Sequence, residues 1–591
     1  ASPLLPESDE DRGVGTGRHT PPPGMCVGDA PAEAAVGEQA AQTPHVPRAP
    51  ASVQIDFEGL PQRIISVPGV PERQYSELHS GVDGNVYYLE APPRGQVAGP
   101  GSGSGSELFR YRLCDRRAIS FVTNVAAFEI SADGRKLLYR VTGTAAGGGR
   151  GPAGPPPIPS LFIVDADRVP PSSGQGRLNV SLRMYLEPKE EFKQIFNEGW
   201  RNQRDYLYVP NMHGADWPKM KEMYGQLLPY VMHRADLNYL LDMMGAEIAI
   251  GHSYVRGGDM PEVPQPLGGL LGADFNIENG RYKITRIYDN ESWNTDLHAP
   301  LAAPGANVSV GDYILAINGV ELRAPDNIYR LLDGTANRQT ALTVNSKPVM
   351  DGARVVTVVP VANEQPLRTR AWVESNRRLV ERLSGGQLAY VYLPNTGQPG
   401  YSSFNRYYFS QQDKKGVVVD ERFNGGGSAA DYIIDVLQRD FDGYFNNVAG
   451  ERYPFTSPSA GIWGPKVMII NEMAGSGGDL MPYMFKRRKI GVLVGKRTWG
   501  GLVHTADTPP FIDGGSMIAP RGGFFSRDGR WAVENEGVAP DIDVENWPKD
   551  VITGHDPQLE RAVDEAMKML KAQPVDRAAK EPPPPTWGKR P

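Results

Sequence analysis

The chain has 591 residues and a formal charge of −7, too long for one hydrophobic core, so three or four domains are expected. Its lysines and arginines are scattered without a basic stripe, which argues against a nucleic-acid partner and leaves a peptide or protein substrate open. Cys26 and Cys114 are the only cysteines, and the nine histidines show no metal-ligand spacing, so no disulfide framework, metal or other cofactor is expected. No apolar run approaches the ~20 residues of a membrane span. The start, Ala1-Ser-Pro-Leu-Leu-Pro6, has neither a basic nor an apolar signal region and no initiator Met, so the chain reads as processed or as a fragment.

Residues 1–52 are rich in Pro, Gly, Ala and Glu and nearly free of aromatic side chains, a composition that cannot offset chain entropy by burial; a disordered leader is expected. Residues 53–172 show short strands with turn pairs, Asp83-Gly84 before Val86-Tyr-Tyr-Leu89 and Asp133-Gly134 before Lys136-Leu-Leu-Tyr139. They resemble propeller blades but suffice for only one or two, against about four or more in a closed ring, so a propeller-like remnant is expected. The Gly/Ser run at 99–106 and the Gly/Pro run at 147–159 read as surface loops. Residues 173–262 turn helical, with Asp216-Trp-Pro218 as a cap and start and Asp236 opening Leu237-x-x-Leu240-Leu241-x-x-Met244.

Residues 263–365 contain Val310-Gly-Asp-Tyr-Ile-Leu-Ala-Ile-Asn-Gly-Val-Glu-Leu322, which resembles the core of PDZ domains: a turn at Gly311-Asp312 into a buried strand and a tight turn at Asn318-Gly319 out of it. That resemblance implies a groove able to add a peptide strand to a sheet edge. Residues 366–550 alternate strands and helices, the pattern of an α/β domain. Residues 551–591 are expected to form a C-terminal helix and a tail ending in Pro582-Pro-Pro-Pro-Pro-Thr586. The expected fold class is therefore a multidomain α/β chain.

The chemistry concentrates in the α/β region. Asn471-Glu-Met-Ala-Gly-Ser-Gly-Gly-Asp479 places Ser476 on a small-residue turn between the buried strand Lys466–Ile470 and a helix, where free N–H groups face a developing oxyanion. Asp420-Glu-Arg-Phe-Asn-Gly-Gly-Gly427 bares further N–H groups, and the Ser428-Ala-Ala that follows lacks the Lys-Ser/Thr of a phosphate loop. A third glycine cluster, Arg497-Thr-Trp-Gly-Gly-Leu502, and the acidic turn Glu534-Asn-Glu536 complete the set.

Taken in order, Ile250-Gly-His-Ser-Tyr-Val-Arg-Gly-Gly-Asp259, Gly269-Leu-Leu-Gly-Ala-Asp-Phe275, Asn424-Gly-Gly-Gly427, Ala474-Gly-Ser-Gly-Gly-Asp479, Thr498-Trp-Gly-Gly-Leu502 and Val533-Glu-Asn-Glu-Gly-Val538 resemble the tricorn protease family and the wider group of C-terminal processing proteases, over residues 74–550. The resemblance implies a crotonase-like catalytic domain and a serine endopeptidase. It casts Ser476 as nucleophile, His252 as general base and Glu534 as the acid that orients the histidine, with the N–H groups of Gly477 and of Gly425 or, preferred by spacing, Gly426 as oxyanion hole. Two positions depart from the family: Gly251 stands where a serine usually precedes the histidine, and Gly477 where an Asp often follows the nucleophile. The Ser-Lys dyad of the tail-specific proteases is not reproduced, because Gly501 stands at the lysine position and Lys496 reads as a solvated charge. Asp440 is a specificity candidate for basic P1 side chains, in this subunit or a neighbouring one. The resemblance further implies a homo-oligomer, a hexamer in the family, and a cytoplasmic setting, with a periplasmic one left open. The alternative is a catalytically silent homologue acting as a PDZ-type peptide-binding scaffold, a reading that Gly251 favours.

Overall fold

The structure, a computed structural model, describes residues 57–58, 66–91, 105–141, 160–170, 175–180, 183–575, 580–585 and 588, apart from 83, 114–115, 262, 264–265, 290, 292, 295–296, 448–453 and 507. The expected leader, both cysteines and most of the two Gly-rich runs lie outside the described residues. Two compact units are formed, residues 1–187 and 188–591.

The first unit is a single antiparallel meander in chain order: β1 (Tyr75–Ser80), β2 (Asn85–Glu90), β3 (Ser106–Arg112), β4 (Arg117–Ile130), β5 (Lys136–Val141), β6 (Ser160–Asp165) and β7 (Arg177–Leu178). The strands stay in one sheet and do not break into four-stranded blades. Alternation explains the core: Tyr87 and Leu89 of β2, Leu108 of β3, and Leu137 and Tyr139 of β5 point to one buried face. The helical signals expected from 173 begin only at 188, because Arg177–Leu178 still pair with β6.

The second unit opens with α1 (Pro188–Tyr206), α2 (Trp217–Gly225) and α3 (Arg234–Ala246), packed through Ile195, Phe196, Leu237, Leu241 and Met244. Asp216 caps α2 by accepting from Lys219 N at 3.2 Å. In α3, Asp236 is not the cap but reaches back to accept from His233 N at 3.1 Å. A short strand, β8 (Val255–Arg256), leaves this bundle.

The next sheet consists of β9 (Ala273–Glu278), β10 (Arg281–Ile287), β11 (Tyr313–Ile317), β12 (Val320–Glu321), β13 (Thr340–Asn345) and β14 (Arg354–Val358), in the order β14-β13-β11-β10-β9 with β12 on β11; α4 (Ile328–Leu331) lies between β12 and β13. Asn318 and Gly319, at φ 48° and 79°, form the hairpin turn that sets Ile317 opposite Val320.

After α5 (Gln365–Leu383) come β15 (Leu388–Tyr392), α6 (Gln398–Phe409), β16 (Gly416–Asp420), α7 (Ala430–Leu437), the hairpin β17 (Gly443–Phe445) and β18 (Phe455–Ser457), β19 (Lys466–Ile470), α8 (Gly477–Arg487), β20 (Val492–Gly495), β21 (Ser516–Met517), β22 (Ile542–Asp543), α9 (Pro548–Ile552) and α10 (Pro557–Ala572). β15, β16, β19, β20 and β22 form one parallel sheet in that order. β15, β16 and β19 are buried at every position, as strands covered on both faces must be. The loops that follow β15, β16, β19 and β20 therefore emerge together at the carboxyl end of the sheet, where open α/β folds place their sites.

Candidate active site

Ser476 stands at the N-cap of α8 with φ 58° and ψ −115°, a region that L-residues rarely occupy. Two ties hold it there. Gly475 N donates to Asn424 O at 3.0 Å, and Ser476 N donates to Asp479 Oδ2 at 2.8 Å. The fully buried Asp479 carboxylate also accepts from Gly500 N at 2.8 Å, Gly501 N at 3.1 Å and the Thr498 hydroxyl, so one side chain ties the Ser476 turn to the loop after β20. Burial pushes its pKa up while these donors pull it down. Gly477 admits no side chain: a Cβ would lie 2.0 Å from Thr396 Oγ1 and 2.4 Å from Gly427 O. That contact explains glycine after Ser476, a point spacing alone leaves open.

His252 is delivered by the helical bundle. β8 pairs with β21, Ile518 N donates to Tyr254 O at 2.8 Å, and Gln203 Nε2 donates to Ser253 Oγ at 3.1 Å and Ile518 O at 3.0 Å. Ser253 is thereby turned toward α1, away from a relay role. A buried ion pair, Arg234 to Asp513 at 2.6 Å, locks the same junction. The imidazole lies between Trp499 and Tyr254, with ring centroids 5.4 and 5.9 Å away. Its Nδ1 is buried without a hydrogen-bond partner. Burial lowers its pKa most, His504 adds to the lowering, and Glu534 opposes both, which leaves a neutral ring able to accept a proton.

Glu534 reaches the histidine through the backbone. Its Oε1 accepts from Gly251 N at 3.1 Å, and Oε2 accepts from Leu502 N at 2.6 Å and Val503 N at 2.8 Å. The carboxylate thus fixes the Ile250–Gly251 peptide unit, one residue before His252, and supplies a negative charge beside the ring. Its neighbours Val533 and Asn535 have φ 76° and 59°, and His252 has φ 64°. Positive φ at Val533, a β-branched residue, is a costly conformation, and such outliers gather where structure is held for function. Ser476, His252 and the flanks of Glu534 all show it. Glu536, also in that turn, is exposed.

The glycine loop after β16 meets Ser476 directly: a Cβ on Gly426 would come 2.6 Å from Ser476 Cβ. The Gly426 N–H, however, donates to Asn424 Oδ1 at 2.9 Å, and that of Gly425 to Pro394 O at 3.1 Å. Gly427 is the member whose backbone faces Gly477, its nitrogen 2.8 Å from a Cβ built there. Spacing could not reveal that Asn424 takes the Gly426 hydrogen. Asp440 is not brought to Ser476. It is exposed and acts on Lys466 at the start of β19, whereas Ser476 follows the end of that strand, about 13 Å of strand away. Sequence reasoning misses Asp479, Trp499 and Thr396, whose buried hydroxyl has no partner and points at Gly477. The Thr498-Trp499 and Gly478-Asp479 pairs, embedded in the glycine clusters, were the available signal. Among the described residues no group of acidic, His or Cys side chains could hold a metal ion, and no helix is long and apolar enough to cross a membrane.

Comparison with known proteins agrees with this layout. Residues 188–246 match the tricorn protease C1 domain, 269–363 the tricorn protease PDZ domain, and 387–544 peptidase family S41. The chain is 34% identical to tricorn protease homolog 1 of Streptomyces coelicolor, over 90% of this chain and 48% of that one. It is 31% identical to a putative tricorn-like protease C-terminal subunit of Sulfurisphaera tokodaii, over 88% of this chain and 58% of that one. A crystal structure of the tricorn protease superposes with a TM-score of 0.74 at 27% identity, covering 84% of this chain and 46% of that one. The chain thus spans about half the length of the curated relatives it matches. With the same helical, PDZ and S41 segments in the same order around one strained serine turn, it belongs to the tricorn protease family.

Proposed function

We propose that this chain is a serine endopeptidase acting on peptides or unfolded protein. Ser476 Oγ attacks the scissile carbonyl as His252 takes its proton, and the resulting imidazolium is stabilised by the Glu534 charge; the proton then passes to the leaving amine. The developing oxyanion is met by the Gly477 N–H at the start of α8 and by a second N–H from the glycine loop. Spacing prefers Gly426 for that donor; with its hydrogen given to Asn424, Gly427 takes the role better. Glu534 serves here through the backbone N–H of Gly251, where the family resemblance implies a serine side chain.

The observation that carries this reading is the meeting of the Ser476 turn and the loop after β20 at one buried carboxylate clamp, with Ser476 strained at a helix N-terminus. We further propose the domain division read from the sequence, with the start of the helical domain moved from 173 to 188, a homo-oligomer in which Asp440 serves a neighbouring subunit's site for basic side chains, and a cytoplasmic setting. The hexamer is the form the family resemblance supports. Reaction with a fluorophosphonate, followed by peptide mapping, tests the reading. Label on Ser476 that disappears in His252→Ala supports it. Absence of label on folded protein would favour the peptide-binding scaffold and point to Gly251 as the broken link.

A further inference from the structure

Trp499 is built into the site more deliberately than a surface aromatic needs to be. Its backbone N–H donates to Ala474 O at 2.9 Å, and the residues on either side, Thr498 and Gly500, are both held by Asp479. The indole lies over three glycines: a Cβ would clash with the ring at Gly475 (2.6 Å) and Gly501 (2.2 Å) and would sit tightly against it at Gly251 (3.1 Å). These glycines belong to the nucleophile turn, the Trp499 loop itself and the histidine loop. The ring therefore touches the neighbour of Ser476 and the neighbour of His252 at once, and its centroid is 5.4 Å from the imidazole. Although clamped in this way, Trp499 remains 48% exposed. A large aromatic surface left open to solvent, rigid and beside a nucleophile, is a platform for an apolar group.

The side of the scissile bond follows from the chemistry. The imidazole that takes the serine proton returns it to the leaving amine, so a ring packed against that imidazole flanks the leaving-group side. Tyr254 extends the same wall beyond His252, and the Arg256 guanidinium covers its face at 4.7 Å. Resting on the peptidase reading above, we propose that Trp499 forms the wall of the S1′ subsite and selects substrates with an aromatic or large aliphatic side chain immediately after the cleaved bond.

Partitioning of an acyl-enzyme tests this. An activated ester acylates Ser476, and added phenylalaninamide or glycinamide competes with water for the acyl group. The amine nitrogen attacks the acyl carbon, the ester C–O bond to Ser476 breaks, and the amine proton passes through His252 to Oγ. Transfer to phenylalaninamide is expected to exceed transfer to glycinamide by about three- to tenfold, the range for one aromatic contact. Trp499→Ala should erase that ratio and Trp499→Phe should keep most of it. Equal transfer to the two amides in the wild-type chain, or a ratio unchanged in Trp499→Ala, overturns the assignment while leaving the peptidase reading intact. A wild-type chain that neither acylates nor takes fluorophosphonate on Ser476 defeats the peptidase reading, and the subsite with it. Should Trp499→Ala not fold, tryptophan emission replaces it as the readout. Quenching by a nitrophenylalaninamide in the wild-type chain and not in Trp499→Phe supports the subsite, and equal quenching in the two chains overturns it.

Discussion

The two ends of strand β19 pose opposite problems. At its start Lys466 is 8% exposed, donates to Gly464 O at 3.1 Å, and has its pKa pulled down to about 8 by burial, with Asp440 opposing. At its end the chain enters Asn471 and the Ser476 turn, where Asn471 Oδ1 accepts from Phe423 N at 2.9 Å and Asp479 gathers four donors. A charge poorly compensated by its surroundings is only a cost to the fold. A carboxylate whose lone pairs are all used cross-links two loops and can hold the strained Ser476 turn in place. The parallel sheet makes this asymmetry possible, since loops and helix N-termini converge only at its carboxyl end.

Four substitutions break or sharpen that contrast. Ser476→Ala should lower kcat by about 10⁴-fold or more, with the thermal transition nearly unmoved, measured with a fluorogenic peptide and calorimetry. Asp479→Asn places an amide donor against four donors; stability should fall by about 3–5 kcal/mol in denaturant titration, and peptidase activity with it. At the other end, Lys466→Met should raise stability by about 1–3 kcal/mol at pH 7. The sign follows from the depressed pKa: below about 8 the folded chain holds a buried charge at a cost, and the cost fades as pH rises from about 8 toward the ordinary lysine value, so the gain should vanish near pH 11.

The smallest effect concerns Glu421, which lies between these cases. It is fully buried beside Asp479 and Asp420, its Oε1 has no partner, and Oε2 receives only a 3.4 Å contact from Asn424. Burial, with those two carboxylates, raises its pKa well above the ordinary value and so favours its protonated form. A raised carboxyl pKa means that stability is full below about pH 4 and declines as pH rises, because the unfolded chain releases a proton that the folded one keeps. Glu421→Gln should therefore stabilise the protein by about 1–2 kcal/mol at pH 8 and by almost nothing at pH 4, read from melting curves at the two values.

Local patterns carried much of this architecture. β16 spans a continuous apolar run and α7 a stretch of helical apolar spacing, both readable in the sequence, and Asn318-Gly319 makes the turn that its residue types require. Ser476 and the two glycine loops were visible because glycine and small-residue runs between strand and helix have few other uses. What spacing could not show is how side chains share partners across long separations. Asn424 taking the Gly426 hydrogen, Glu534 reaching Gly251 across 283 residues, and Asp479 joining two loops are tertiary facts. The same holds for Asp440: its acidity was legible, and its place at the far end of β19 was not.

The central claim is that Ser476 and His252 act as one unit. A peptide chloromethyl ketone tests it, because the reagent adds reversibly to an activated serine and then alkylates the adjacent imidazole. Mass spectrometry of the treated protein should find the alkyl group on His252, and Ser476→Ala should abolish that modification. Alkylation absent from His252 in the wild-type chain, or equally fast in Ser476→Ala, would contradict the account.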